Sequence, residues 1–427
     1  MSEPIVSGKR VAKLMYVAVN DGNTKQSNKY YNMYEQGDGT FIAEWGRVDV
    51  TKSSKTYPMS KWDSTIKSKT SKSKGYKDVT HLFEQAAEES GESDIVEIQN
   101  SVVKKLMDQL QAFANNSVQQ NYTVSSRAVT QAMVDDAQNT VTQLKALIKM
   151  DASVEKINEL LLELYHIIPR RMNNVHDHLL KGNKIDSNEV LEQAEKLIAD
   201  EQDTLDVMAG QVIINKQEDD AKKEQEKEEY NTQDILSIMG IEMEEASDED
   251  IEIVKKQLGP NAHQFRKAYK VKHKATQAKF DKNLAEATNK KVELFWHGSR
   301  NQNWLNILST GLLIRPSGAI HTGSMFGDGI YFADKAQKSI GYTSLRGSYW
   351  ASGGDNVAYL ALFSVHVGEQ KHIKHHNSSC YSLNKAKLDA ENCDSVFAHG
   401  GADLRNNEYI VYDSSQCTVS YLVEIGN

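Results

Sequence analysis

The chain has 427 residues, 39% hydrophobic and 26% charged, with a formal net charge of -9. That length suits two to four domains, and its longest apolar runs, such as 357–363, fall far short of a bilayer-spanning helix. The segment MSEPIVSGKR lacks the apolar core of a secretory signal, and three cysteines (Cys380, Cys393, Cys417) without a CxxC pair argue against a disulfide framework and against zinc modules of that spacing. A reducing, intracellular setting is expected.

Residues 1–90 read as a small β-rich domain. Lys13–Val19 is a first strand, and the aromatic runs 29–34 and 40–45 are β-prone, with the hairpin signal Gly37-Asp38-Gly39 between them. Lysines at 52, 55, 61, 67, 69, 72, 74 and 77 face a single acid, Asp63, an excess of about seven positive charges. Such a stretch serves equally as a polyanion footprint or as a solubilising face.

From 95 to 215 the pattern turns helical. Val103, Leu106, Met107, Leu110 and Phe113 recur at three- and four-residue spacing, as do Val141, Leu144, Leu147 and Ile148, then Ile157, Leu161, Leu164 and Ile168, and a last run from Val190 to Leu205. Pro169 disfavours continuing the third helix. Residues 216–230 contain four lysines and seven acids, and read as an exposed linker or solvated helix. From 231 to 427 strand-like runs dominate (292–296, 329–332, 357–367, 409–412, 418–423). They lack long helical crossovers, which predicts mainly antiparallel α+β material.

Two segments about a hundred residues apart carry the chemistry. Trp296-His297-Gly298-Ser299, with Gly327–Asp334 soon after it, supplies a His and a Tyr; Asn407-Glu408-Tyr409 supplies a carboxylate. A polar hydrogen-bonder, an aromatic face and a carboxylate suit the splitting of a nicotinamide–ribose bond. The sugar becomes oxocarbenium-like as neutral nicotinamide departs, and a carboxylate beside it stabilises that charge. Taken singly, each residue has a plainer reading: Glu408 as an edge-strand acid, His297 as a turn cap, Tyr331 and Phe332 as strand core.

Segment 292–342, with HGS and GDGIYFAD, closely resembles the catalytic core of poly(ADP-ribose) polymerases, and NNEYIVYD at 406–413 resembles the later strand carrying that family's glutamate. AEWGRVDV at 43–50, together with Asn28-Lys29-Tyr30-Tyr31, resembles a WGR domain. ELYHIIPRRM at 163–172 resembles the family's helical regulatory domain. The resemblance implies a multidomain α+β protein: a small β-rich WGR DNA-binding domain (1–90), an all-α helical regulatory bundle (95–215), a charged linker (216–230) and a mainly antiparallel ADP-ribosyltransferase domain (231–427).

For the site, the resemblance implies catalysis by Glu408, His297 and Tyr331. His297 would bond a ribose hydroxyl of the adenosine half, and the Gly298 backbone the nicotinamide carboxamide. Ser339 would also bond the carboxamide, Tyr342 would stack on its ring, and Lys338 would lie near Glu408. Ser299, Arg315, Phe332 and Ala333 complete the NAD+-contacting set. Three departures bear on affinity: Ser324 where the family usually has tyrosine, Asp328 where lysine is common, and a shifted Arg315. Asn28, Lys29, Trp45, Arg47 and Tyr76 are the expected DNA-binding residues.

The implied activity is DNA-break-stimulated, NAD-dependent poly-ADP-ribosylation of proteins, itself included. NAD+ is the substrate, no metal is expected, and the helical domain blocks the site until DNA loosens it. Broken or nicked DNA and protein acceptors would be partners, without a membrane. The chain would be a monomer when free, nuclear in a eukaryote and otherwise in cytoplasm or nucleoid. A mono-ADP-ribosyltransferase and a non-catalytic DNA-end or NAD-binding scaffold remain as alternatives. His372, His375, His376, Cys380 and Cys393 are too irregularly spaced for a metal site, and read better as part of a solvated acceptor-side loop.

Overall fold

The computed structural model describes residues 5–6, 9–19, 26–48, 52–83, 96–122, 128–150, 152–168, 170–172, 174–182, 188–225, 234–314, 325–351 and 353–427. Arg315 and Ser324 lie outside them. The chain forms two compact units, one of residues 1–91 and 115–212, the other of 92–114 and 213–427. Together they make a mixed α+β protein with antiparallel sheets. Among the described residues no helix is long and apolar enough to cross a membrane.

The first unit holds an antiparallel sheet of β1 (Ile5–Val6), β2 (Lys9–Val19), β3 (Gln26–Glu35), β4 (Thr40–Arg47) and β5 (Ser53–Pro58), in that order. Helix α1 (Trp62–Lys69) follows, and β6 (Lys77–Asp78) pairs with β2. The β3–β4 turn is the expected one: Gly37 and Gly39 both adopt φ of 83°, and the Asp38 carboxylate accepts the Thr40 N–H. Alternation along β2–β4 points Leu14, Met33, Phe41 and Ala43 inward, where Trp62 of α1 closes the core.

Helices α2 (Ser101–Asn121), α3 (Gln131–Lys149), α4 (Val154–Ile167) and α5 (Asn188–Gln225) occupy the stretches where the periodicity lies, and the unit boundary runs through α2 and α5. Thr130 and Ser153 cap α3 and α4 by accepting the backbone N–H three residues on. Ile168 is extended, as the residue before a proline should be. The charged segment read as linker or solvated helix is helical as far as Gln225.

Two polar ties organise this unit. His166 of α4 accepts the Val17 N–H of β2 on Nε2 at 3.0 Å, while Nδ1 donates to the Leu162 carbonyl. Arg170 makes a two-pronged, buried ion pair with Glu201 of α5, and the rings of Tyr122 and Tyr165 lie about 5 Å from its guanidinium.

The second unit contains α6 (Ile235–Ile238), β7 (Ile241–Glu245), α7 (Asp248–Leu258), β8 (Phe265–His273), α8 (Lys274–Glu286), β9 (Val292–Gly298), α9 (Trp304–Thr310), β10 (Ile330–Phe332), α10 (Ala336–Ile340), β11 (Val357–His366), β12 (Gln370–Ile373), α11 (Lys385–Ala390), β13 (Ser395–Ala398), β14 (Glu408–Val411) and β15 (Cys417–Gly426). One sheet runs β7-β8-β15-β11-β9, the other β10-β14-β13-β12. All pairs are antiparallel except β12–β13. The uninterrupted apolar run of β11 is buried between neighbours on both edges. Gln109 of α2 accepts the Tyr359 hydroxyl, and Gln217 of α5 accepts the Ser309 hydroxyl.

Glu201→Ala would strand the Arg170 charge in the interior and should cost about 3–5 kcal/mol, read by urea unfolding followed by circular dichroism. Glu163→Ala, which breaks the exposed Lys77–Glu163 pair, should cost less than about 1 kcal/mol.

Candidate active site

Strands β9, β10 and β14 bring the separated segments together. Trp296 and Ala333 exchange backbone hydrogen bonds of 2.8 and 2.9 Å, which sets the end of β9 beside the residue that follows β10. On its other edge β10 pairs with β14, Tyr331 opposite Ile410 and Phe332 opposite Tyr409. His297, Tyr331 and Glu408 are thus carried by adjoining strands.

His297 Nδ1 lies 3.1 Å from the Tyr331 carbonyl. A carbonyl can only accept, so Nδ1 carries the proton and Nε2 is left as an acceptor. The ring is enclosed edge-on by Trp304, Phe332 and Phe363. Burial lowers its pKa and keeps the imidazole neutral, with the bond to Tyr331 opposing the shift. Next to it, a Cβ on Gly298 would stand 1.9 Å from the Ser339 carbonyl oxygen, so only glycine lets β9 approach α10 this closely.

Tyr331 uses its hydroxyl twice, donating to the Gly327 carbonyl at 2.8 Å and accepting the Phe326 N–H at 3.0 Å. Burial raises its pKa further than Glu408 and Asp328 do.

Glu408 is 8% exposed. Its Oε1 is ion-paired with Lys338 of α10, while its buried Oε2 accepts no hydrogen bond from any described residue. Burial lowers the Lys338 pKa, and Glu408 opposes the shift. The strand entry is pinned by Asn407, whose amide donates to Asp334 and accepts the Gly400 N–H. Tyr342 is partly buried; burial first, and Glu408 second, push its pKa to about 12.

A family model of the poly(ADP-ribose) polymerase catalytic domain matches residues 249–427. Protein 101L of Invertebrate iridescent virus 6, itself uncharacterized, is 34% identical over 203 residues, 48% of this chain and 78% of that protein. A putative poly(ADP-ribose) polymerase-like protein of the same virus, 100L, is 33% identical over 162 residues, 37% of this chain and 84% of that protein. The chain belongs to the poly(ADP-ribose) polymerase family. It is an NAD+ ADP-ribosyltransferase. Human poly(ADP-ribose) polymerase 2 is 33% identical over 157 residues, 31% of this chain and 26% of that protein.

Within this polymerase-family unit, the expected site residues other than Arg315 gather around His297, Tyr331 and Glu408. Phe332, Ala333 and Ser339 are buried, and the Ser299 hydroxyl accepts the Asn303 amide. The histidines of 372–399 take separate partners: His372 bonds His399, His376 donates to the Met325 carbonyl, and His375 faces Asp403. Among the described residues no three His, Cys, Asp or Glu side chains gather as a metal site.

In the first unit Trp45 stacks on Tyr31 (5.6 Å, 20°), and Lys69 sits over Tyr31 and Tyr76 at 3.8 and 5.4 Å. Lys29 is exposed, and Arg47 and Tyr76 are partly buried. Asn28 departs from its expected DNA-binding place: it is fully buried, and its amide donates to the Arg170 carbonyl at 2.9 Å. Position 28 lies on the sheet face opposite Tyr31 and Met33, where the segment holding Arg170 covers it, and the local Asn-Lys-Tyr-Tyr pattern does not reveal that cover. Sequence reading also missed the Asn407–Asp334 pin and the Trp304 and Phe363 walls around His297, which depend on contacts distant in the chain.

Gly298→Ala should lower NAD+ turnover about a hundredfold and the melting midpoint by several degrees through overpacking of about 1–3 kcal/mol. Steady-state kinetics and thermal melts check both.

Proposed function

We propose that this family member is a DNA-break-stimulated protein poly-ADP-ribosyltransferase with itself among its acceptors, and that Glu408 carries the chemistry. The observation that supports this most is the Glu408 carboxylate. Lys338 pairs with one oxygen and holds it in place, while the other is a buried acceptor that no described residue satisfies. A ribose hydroxyl of NAD+ is the donor such an oxygen lacks.

In the reaction the C1′–N bond of the nicotinamide ribose breaks and its electron pair leaves with neutral nicotinamide. The carboxylate stabilises the cationic sugar through its 2′-hydroxyl. An acceptor oxygen then bonds to C1′ and loses its proton, towards Glu408 when the acceptor is the hydroxyl of a growing chain. His297, with Nε2 free to accept, holds a ribose hydroxyl of the adenosine half. The Gly298 backbone and Ser339 hold the carboxamide, and Tyr331 and Tyr342 enclose the leaving ring. Ser299, Phe332 and Ala333 shape the pocket. Arg315 is carried forward on resemblance alone.

For DNA we assign residues 1–90 as a WGR-type domain. Lys29, Trp45, Arg47, Tyr76 and the lysines between 52 and 77 offer aromatic faces and phosphate neutralisation without base reading. Burial and Lys74 both lower the Lys69 pKa, and a nearby phosphate would raise it again. We assign Asn28 instead as an internal tie to the segment holding Arg170. Helices between 95 and 215 would relay DNA binding to the site, and linkage then requires NAD-site ligands to alter DNA affinity in return.

Glu408→Gln should suppress chain elongation about a hundredfold or more while changing NAD+ affinity less than about threefold; equal polymer from mutant and parent removes Glu408 from this role. Nicked or blunt duplex DNA should raise labelled-NAD+ incorporation at low salt, with the stimulation lost as salt rises. An unchanged rate with and without DNA overturns the DNA reading and leaves the transferase intact.

A further inference from the structure

The loop between α10 and β11 holds two large rings in solvent, Tyr349 at 78% and Trp350 at 61% exposure. Exposed aromatics on a slack loop would need no explanation, but this loop is fastened along its length. The N–H groups of Trp350 and Ala351 both donate to the Gly341 carbonyl, at 2.9 and 3.1 Å. Arg346 N–H donates to Asp355 O, Asp355 N–H to Ser344 O, and Gly353 N–H to the Ser348 hydroxyl. The Asn301 amide holds the Asp355 carboxylate.

The fastened loop lays the indole on Tyr342, with centroids 6.0 Å apart and planes 20° from parallel. Tyr349 meets the indole edge-on at 4.6 Å and 90°. A Cβ on Gly341 would press to 3.1 Å from Trp350 Cδ1, so glycine there gives the indole its room. Tyr342 therefore has one face against tryptophan and lies within the electrostatic reach of Glu408.

We propose that Trp350 is a positioning residue: it fixes the plane of the Tyr342 ring and so sets how tightly the site holds the planar carboxamide ring of NAD+. This rests on the assignment of Tyr342 to the nicotinamide ring under Proposed function. A ring held in its binding orientation loses less freedom when a ligand stacks on it. Trp350 touches no reacting atom, so the effect falls on binding and spares the chemical step.

The test uses the full chain with Trp350→Ala, Trp350→Phe, Tyr342→Ala and the Trp350→Ala/Tyr342→Ala pair. The readouts are KM and kcat for NAD+, and the Kd for benzamide, which carries the same ring carboxamide. Trp350→Ala should raise KM and the benzamide Kd roughly two- to tenfold, the span of one aromatic stack, with kcat within about twofold. Trp350→Phe should restore most of the loss. In the Tyr342→Ala background Trp350→Ala should add nothing.

An unchanged Kd in Trp350→Ala overturns the proposal, as does an equal loss in Trp350→Phe or an effect that persists without Tyr342. Thermal melts identify a variant that is merely destabilised, and the Phe rescue then decides. If Tyr342→Ala binds benzamide as the parent does, the nicotinamide assignment itself falls and this inference with it. A silent Trp350→Ala beside a damaging Tyr342→Ala sinks the inference alone.

Discussion

Two backbone hydrogen bonds between Trp296 and Ala333 join the free edge of the five-stranded sheet to the end of β10 in the four-stranded one. Everything in the site depends on that seam. It brings His297 close enough to donate to the Tyr331 carbonyl, which in turn selects the imidazole tautomer. The pairing of β10 with β14 then carries the register across to Glu408. The glycine after His297 is part of the same constraint, because the Ser339 carbonyl occupies the space a side chain would need.

Around this seam several polar groups find partners within the fold, although no described residue serves Glu408 Oε2. The Tyr331 hydroxyl is committed as both donor and acceptor, so the ring contributes shape and an apolar face, and its proton is not at liberty. Burial holds His297 neutral against the opposing pull of its bond to Tyr331, and that bond leaves Nε2 as the one acceptor nitrogen of the ring. Lys338 lies under opposing influences: burial disfavours its charge and Glu408 restores it. The pair places a cation and a carboxylate side by side, which fits the role proposed for Glu408 beside a developing sugar cation.

Much of this was legible in the chain. Helical periodicity located α2 to α5 because their buried stripes are long and regular, as at Val141, Leu144 and Ile148. The strands bearing His297, Tyr331 and Glu408 stood out because each is apolar and bounded by glycine or polar turns. Strands β8 and β12 escaped notice, since lysines interleave the inward residues of FRKAYKVKH, and QKHI is short with no fully buried residue. Trp350 was silent for another reason: its loop has no period, and only the Gly341 carbonyl, nine residues back, explains its fixed position. The burial of Asn28 likewise depends on Arg170, which is remote in sequence.

Glu408 Oε2, which no described residue satisfies, has a consequence for evolution as well as for chemistry. A buried acceptor without a donor costs the resting fold about 1–3 kcal/mol, a large fraction of the margin by which most domains stay folded. A substitution that gave Oε2 an internal donor would relieve this cost, and on the role proposed for Glu408 it would occupy the acceptor that substrate needs. On that proposed role the glutamate marks a place where the most stable sequence and the most active one diverge.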